Sequence, residues 1–159
     1  MATMISKHFS VLEVTSSEIA ATHKIDNTVP RELWQTIAHT AAKMDEVREI
    51  LEQPIRVDSW YRCPKLNELV GSKPTSQHLL GEAVDFVCPN FGNPLEICKR
   101  LWTKGIQFDQ LILEHTWVHV SFASPILNPD AKPRKQVLSL LSFGGYASGL
   151  TDVEGRALT

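Results

Sequence analysis

The chain has 159 residues, of which 43% are hydrophobic, with 16 lysines and arginines against 18 aspartates and glutamates. A single domain of this size buries roughly 70% of its unfolded surface, so it needs no disulfide or structural metal to replace a core. The formal net charge of −2 gives no electrostatic basis for general binding to nucleic acid or an anionic membrane. No segment approaches the length of an apolar membrane span.

The first third of the chain is predicted to be its helical part, residues 1–54. Residues 8–14 have the pattern of a short extended piece, and Ser16 and Ser17 can cap a helix that begins near Glu18. Residues 31–52 are predicted to form a longer helix, because apolar side chains recur every three or four positions and would make one stripe. Pro54 would end this helix.

Short strands dominate the remaining two thirds. A helix should begin at Pro64, and a second should run from Pro94 to Gly105 after the cap Asn93. The predicted strands cover residues 55–61, 82–88, 110–114, 117–122 and 136–142. We therefore expect one α+β domain over residues 1–159, in which an antiparallel sheet of about four strands has the site on one face and helix 31–52 on the other. The Gly-rich, polar tail 144–159 is predicted to be mobile.

Cysteine usage and the N-terminal sequence predict the compartment. Cys63, Cys88 and Cys98 are odd in number and irregular in spacing, which favours buried thiols in a reducing compartment over a disulfide framework. The opening sequence MATMISKHFSVLEV lacks the continuous apolar stretch of a signal peptide. These features predict a protein kept in the cytosol until something else releases it.

Two predicted strands each carry a potential metal ligand among apolar neighbours. Asp85 would point to the face opposite Val84 and Phe86, and His119 to the face opposite Val118 and Val120. If the two strands pair, Asp85 and His119 can lie close together, and His78 in the preceding loop can fold over them. Two imidazoles and one carboxylate suit zinc and leave a fourth position open, as in catalytic rather than structural sites.

A zinc-assisted hydrolysis also needs a group that accepts and returns a proton. Glu114 lies at the end of the strand that precedes His119, and it is the candidate general base. His115 is a weaker candidate, since an exposed turn histidine is the simpler interpretation.

The joint pattern resembles a known family. Five residues match the signature Ser-x-His-x-x-Gly-x-Ala-x-Asp of the zinc D-Ala-D-Ala metallopeptidases: Ser76, His78, Gly81, Ala83 and Asp85. The family's last zinc ligand follows in a Trp-x-His context, which Trp117-Val118-His119 fits, and the similarity extends upstream through Tyr61-Arg62-Cys63-Pro64 and Asn67. It covers roughly residues 8–125. The family includes D,D-carboxypeptidases, D,D-dipeptidases and phage L-alanyl-D-glutamate endolysins, and shares its fold with lysostaphin-type enzymes and the hedgehog signalling domain.

The resemblance implies a role for each matched residue. His78, Asp85 and His119 would bind zinc, and Arg62 would bind a carboxylate or carbonyl oxygen of the substrate. Ser76 and Gln77 would hold the loop or the substrate. Glu114 would be the general base, although some members place the acid where this chain has Thr116, and others have a histidine in place of Trp117.

The implied activity is hydrolysis of peptide bonds in peptidoglycan stem peptides or cross-links, by a monomeric enzyme of phage or prophage origin that binds neither nucleic acid nor membrane. A D,D-carboxypeptidase that removes terminal D-Ala is one alternative, since Arg62 could bind a terminal carboxylate. A zinc-containing wall-binding or phage structural protein without catalysis is the other, because the hedgehog domain shows that the fold also serves in binding.

Overall fold

The computed structural model describes residues 2–158. The helices are α1 (Val11–Thr15), α2 (Glu18–Thr22), α3 (Trp34–Leu51), α4 (Pro64–Leu69) and α5 (Pro94–Lys104), with 3-10 turns at Arg31–Leu33 and Gln77–Leu80. The strands are β1 (Arg56–Ser59), β2 (Ala83–Val87), β3 (Gln110–Glu114), β4 (Trp117–Ser121), β5 (Gln136–Leu140) and β6 (Tyr146–Ser148). Within residues 2–158, no helix is both long and apolar enough to cross a membrane.

The strands form one mixed sheet in the order β1-β2-β4-β3-β5-β6. The prediction of about four antiparallel strands was therefore wrong in number and in direction, because β5 runs parallel to β3. The hairpin between β3 and β4 is antiparallel. Residues 122–135 then carry the chain to the far side of β3, a length that suffices for a crossover and leaves β5 parallel to it. Strand β6, inside the segment predicted as a tail, pairs with β5.

Helix α1 occupies Val11–Thr15, so the extended conformation predicted for residues 8–14 was wrong over residues 11–14. Helix α1 begins at a capping box in which Ser10 Oγ accepts from the Glu13 amide while the Glu13 carboxylate accepts from the Ser10 amide. A helix of five residues is too short to show helical periodicity, and its two valines favour strands. The residue pattern alone therefore predicted an extended conformation.

The core lies on one face of the sheet. Buried side chains of β2 and β4 point to this face, and α5 packs against β3 and β4 and against α3. The predicted apolar stripe of α3 is buried as expected: Ile37, Ala41, Met44, Val47 and Leu51. The three cysteines are free and buried, as predicted. The opposite face of the sheet is left for polar side chains, including Asp85 and His119.

Candidate metal centre

Strand pairing brings Asp85 and His119 together. The two residues are direct partners in the antiparallel ladder between β2 and β4. His119 Nδ1 lies 2.9 Å from Asp85 Oδ1, and His78 Nε2 lies 3.2 Å from Asp85 Oδ2. One ligand atom from each of the three residues lies within 4.8 Å of the others, so this cluster could hold a metal ion. The three residues predicted as ligands are thus brought together.

His78 is placed by the turn between α4 and β2. Ser76 caps this 3-10 turn, and its Oγ accepts a hydrogen bond from the His78 amide at 3.3 Å. Gly81 ends the turn with φ +73°, and a Cβ at Gly81 would lie only 2.4 Å from Ile37 Cγ1. The Gly81 carbonyl accepts from the buried Trp60 indole. Glycine is required here because the turn combines a left-handed conformation with close packing on α3.

The same packing sets the tautomer of His78. Its Nδ1 lies 2.6 Å from the Trp60 carbonyl oxygen, which can only accept, so Nδ1 carries the proton and Nε2 has the lone pair. Nε2 is buried and makes no hydrogen bond of acceptable geometry among the described residues. Burial lowers the pKa of His78, although Asp85 opposes this. A histidine that binds a metal must be neutral and must have a free lone pair on the ligating nitrogen. His78 Nε2 meets both conditions and faces the Asp85 carboxylate.

Asp85 remains ionised in this setting. Burial opposes its charge, but the two imidazoles beside it, with His119 Nδ1 in hydrogen-bond contact at 2.9 Å, outweigh burial and hold the pKa of Asp85 well below its ordinary value. The donor set is therefore two imidazoles and one carboxylate, which fits zinc with an open position.

Glu114 lines the same cleft. It lies at the end of β3 opposite Trp117, next to the turn in which His115 is exposed. Burial raises its pKa to about 7, and the charge of Asp85 adds to this rise, while His119 and Arg62 oppose it. A carboxyl group poised near neutrality beside a metal cluster is suited to proton transfer.

Arg62 also borders the cluster. Its amide donates to the His78 carbonyl at 3.1 Å, and its Nε is buried without a hydrogen-bond partner among residues 2–158. Burial lowers the pKa of Arg62, but Asp85 and Glu114 oppose this.

Asn27, in the loop that follows α2, holds the segment of Arg62 in place. Its amide donates to the Tyr61 carbonyl and its Oδ1 accepts from the Cys63 amide.

Gln77 belongs to a network that sequence reasoning missed. Its Nε2 donates to Asp109 Oδ2 at 2.9 Å, and Asp109 also receives a two-point interaction from Arg134. The Gln77–Asp109 contact spans 32 positions of the chain and the Arg134–Asp109 contact spans 25. No local spacing signals such a network, because it depends on how the loop before β5 crosses the sheet.

The metal cluster lies where two parts of one cleft meet. The part we call the sheet lobe, of about 690 Å³, is bounded by loop 71–77 and by β3, β5 and β6. The part we call the N-terminal lobe, of about 890 Å³, is bounded by residues 16–19 and by β1 and α4. Arg62, Val70, Asp85 and Trp117 line both lobes. Asp85 therefore lies at the border of the two lobes, whereas His78 and His119 line the sheet lobe alone.

Comparison with known proteins identifies the family. A family model described as Peptidase M15 matches residues 7–121. This chain belongs to the Peptidase M15 family. The match covers both strands and the turn that carry the histidines and Asp85, and it confirms the resemblance drawn from the signature residues. Peptidase M15 indicates a metallopeptidase, and proteins of this family are generally zinc-dependent.

The search of curated proteins found no match. Residues 122–158, which include β5 and β6, lie outside the matched stretch.

Proposed function

We propose that the protein is a zinc-dependent endopeptidase that cuts peptide bonds in the stem peptides or cross-links of bacterial peptidoglycan. The observation that carries the choice of endopeptidase is that the metal cluster lies in the sheet lobe at its border with the N-terminal lobe, where Asp85 lines both. A peptide bound across the cluster could extend in both directions, as cleavage within a chain requires. Membership in Peptidase M15 supports the peptidase chemistry.

His78, Asp85 and His119 would hold the zinc ion. Zinc held there would lower the pKa of water and polarise the scissile carbonyl group. The contact from His78 Nδ1 to the Trp60 carbonyl keeps Nε2 available as a ligand and fixes the ring plane. Ser76 supports this arrangement by capping the turn, because its hydroxyl accepts from the His78 amide.

Glu114 would act as the general base. Its carboxylate form accepts a proton and its acid form can return the proton to the leaving amine. In the metal-free protein, the buried surroundings raise the pKa of Glu114 above that of an ordinary glutamate and so make it a stronger base. Arg62 would contact a carbonyl or carboxylate oxygen of the substrate, because its guanidinium lies at the junction of the lobes with an unpartnered Nε.

Arg62 also provides the observation that favours the second candidate, a D,D-carboxypeptidase. A guanidinium beside the metal could bind the terminal carboxylate of a stem pentapeptide. The N-terminal lobe beyond Arg62 would then remain empty during the reaction, which is why we favour the endopeptidase.

A wall-binding protein without catalysis would have no use for a carboxyl group like that of Glu114. A lytic role in a phage or prophage stays a prediction from the sequence.

The test is to digest purified peptidoglycan sacculi with zinc-loaded protein and to identify the new termini by mass spectrometry. New internal amino termini would support the endopeptidase. Release of D-Ala alone, from sacculi and from free pentapeptide, would establish the carboxypeptidase instead. An intact substrate at saturating zinc would leave the binding function as the remaining candidate.

A further inference from the structure

The sheet lobe has a wall built by the segment that follows the family match. Arg134, Gln136, Leu138 and Tyr146 line this lobe, and all four lie beyond residue 121. Gln136 and Leu138 belong to β5 and Tyr146 to β6, so the two added strands extend the floor of the cleft. A wall supplied by this segment is suited to determine which peptides bind.

Arg134 is the most constrained side chain of this wall. Its Nε lies 3.1 Å from both carboxylate oxygens of Asp109, and its Nη2 lies 2.8 Å from Asp109 Oδ2. Its own amide donates to Asp109 Oδ1 at 2.9 Å. Asp109 is 4% exposed and its pKa is lowered because the hydrogen bonds from Arg134 outweigh burial. The guanidinium is therefore held in one orientation by a buried anchor.

This anchoring uses one edge of the guanidinium. The edge formed by Nε and Nη2 faces Asp109, and in the described part of the chain Nη1 makes no hydrogen bond, so the edge formed by Nη1 and Nη2 keeps free N–H donors. The Arg134 side chain is 54% exposed and lines the sheet lobe. A planar edge with two N–H donors matches a carboxylate, and a fixed guanidinium loses little entropy when it binds one.

The charge pattern of the sheet lobe favours an anionic group. Lys73 lines it from the loop on the opposite side, whereas the acidic residues of its lining, Asp85 and Glu114, lie at the metal end. Gln110 and Gln136 are bound to each other at 2.7 Å and add no charge. A negative group placed away from the metal would meet Lys73 and the unbonded edge of Arg134, whose other edge is paired with Asp109.

We propose, on the basis of the proposed peptidase function, that Arg134 binds a free carboxylate of the peptide substrate in the sheet lobe. The segment after the family match would then determine specificity, and the carboxylate would come either from an acidic residue within the peptide or from its C-terminus.

The experiment is a cycle that combines Arg134→Gln with substrates lacking one carboxylate. Three stem pentapeptides are compared: one with D-glutamate at the second position and a free C-terminus, one with D-isoglutamine, and one with an amidated C-terminus. Values of kcat/KM are measured on zinc-loaded wild-type and Arg134→Gln proteins. Dissociation constants are measured by calorimetry on the same pair carrying Glu114→Gln, so binding is read without turnover.

We expect Arg134→Gln to weaken binding of the peptide with both carboxylates by ~10-fold or more. Binding of the amide peptide that lacks the carboxylate recognised by Arg134 should remain almost unchanged. The peptide that loses this sensitivity identifies the carboxylate that Arg134 binds. Arg134→Lys, which keeps the charge, should retain part of the preference. The control is Lys135→Gln, which removes a neighbouring exposed charge that does not line the cleft and should change neither constant.

Equal losses for all three peptides would overturn the proposal, because they would show that Arg134 acts only by anchoring Gln77 through Asp109. Failure of every peptide to bind would overturn it as well. If the peptides bind with the expected carboxylate dependence but are not cleaved by the wild-type protein, the peptidase assignment fails and the subsite stands.

Discussion

Asp85 and His119 face each other across β2 and β4, and their side chains are joined by a contact of 2.9 Å between Oδ1 and Nδ1. They are 34 positions apart in the chain, and only the ladder register makes them neighbours. A shift of the register by one residue would turn one of the two side chains into the core. The metal cluster is therefore a property of the sheet.

Removal of any one ligand should abolish stoichiometric zinc binding. His78→Ala, Asp85→Ala and His119→Ala each leave two ligands, which is too few for a stable catalytic zinc site. Zinc content after dialysis, measured by atomic emission, should fall from about one per chain to near zero, and hydrolysis should be lost with it. His23→Ala, at an exposed position at the end of α2, is the control and should keep both. Full zinc occupancy in any of the three variants would remove that residue from the ligand set.

Glu114→Gln should keep zinc and lose turnover. The amide has nearly the shape of the acid but cannot accept a proton at neutral pH, so we expect kcat to fall ~100-fold or more. Zinc content and the thermal unfolding midpoint show whether the site is intact. Glu68→Gln on α4 is the matched control, since it makes the same change outside the cleft lining. Turnover close to that of the wild type would exclude Glu114 as the base.

The raised pKa of Glu114 makes the stability of the metal-free protein depend on pH. The folded chain holds this proton up to a pKa of about 7, whereas an ordinary glutamate releases it near 4.5. Between these values the unfolded state has lost the proton that the folded state keeps, so rising pH favours unfolding. The free energy of unfolding of wild type minus that of Glu114→Gln should fall as pH rises through this window and become constant above it.

Urea unfolding of both proteins in the presence of a chelator, at several pH values between 4 and 8, measures this difference. Groups remote from Glu114 contribute equally to both proteins, so the subtraction isolates Glu114 together with its interaction with neighbouring charges such as Asp85. A difference that does not change with pH would show that the Glu114 carboxyl group has an ordinary pKa in the folded chain.

Arg62→Lys should impair catalysis without affecting the metal. Lysine keeps the charge but loses the planar fork that can bind an oxygen of the substrate, so KM should rise or kcat should fall by about 10-fold. Zinc content should be unchanged, and the unfolding midpoint should move little. Arg31→Lys, in the exposed turn before α3, provides the comparison. Kinetics identical to those of the wild type would exclude a substrate contact by Arg62.

Gly81→Ala should destabilise the protein and weaken zinc binding. The new Cβ would require the φ of +73° and would also collide with Ile37, which is buried in the core. Overpacking and backbone strain together should cost roughly 2–5 kcal/mol of unfolding free energy. Because Gly81 ends the turn that carries His78, the displaced turn should also lower zinc affinity.

Gly105→Ala separates the two causes. Gly105 has a similar φ of +71° at the end of α5, but nothing lies within 4 Å of its Cβ position. The free energy of unfolding of Gly105→Ala should fall by only about 1–2 kcal/mol, which is the cost of the left-handed conformation. Equal losses in the two variants would show that the contact with Ile37 does not matter.

Some features of this protein could be predicted from the sequence because their causes are local. The apolar period of α3, the capping box and proline that begin α5, and the alternation around Asp85 and His119 each reside in a few consecutive residues. The signature from Ser76 to Asp85 is also local, and the Peptidase M15 match over residues 7–121 agrees with it. Family and candidate ligands therefore followed from residue types and spacing.

Only the tertiary structure decided the rest. The parallel direction of β5 depends on where residues 122–135 cross the sheet, and Asp109 binds Arg134 near the end of that segment. The pKa of Glu114 depends on burial and on a carboxylate from another strand. The two-lobed cleft exists because α2 and β6, from opposite ends of the chain, border the same sheet face. Such long-range contacts arise from packing of distant segments, for which no stretch of sequence has a period or a spacing.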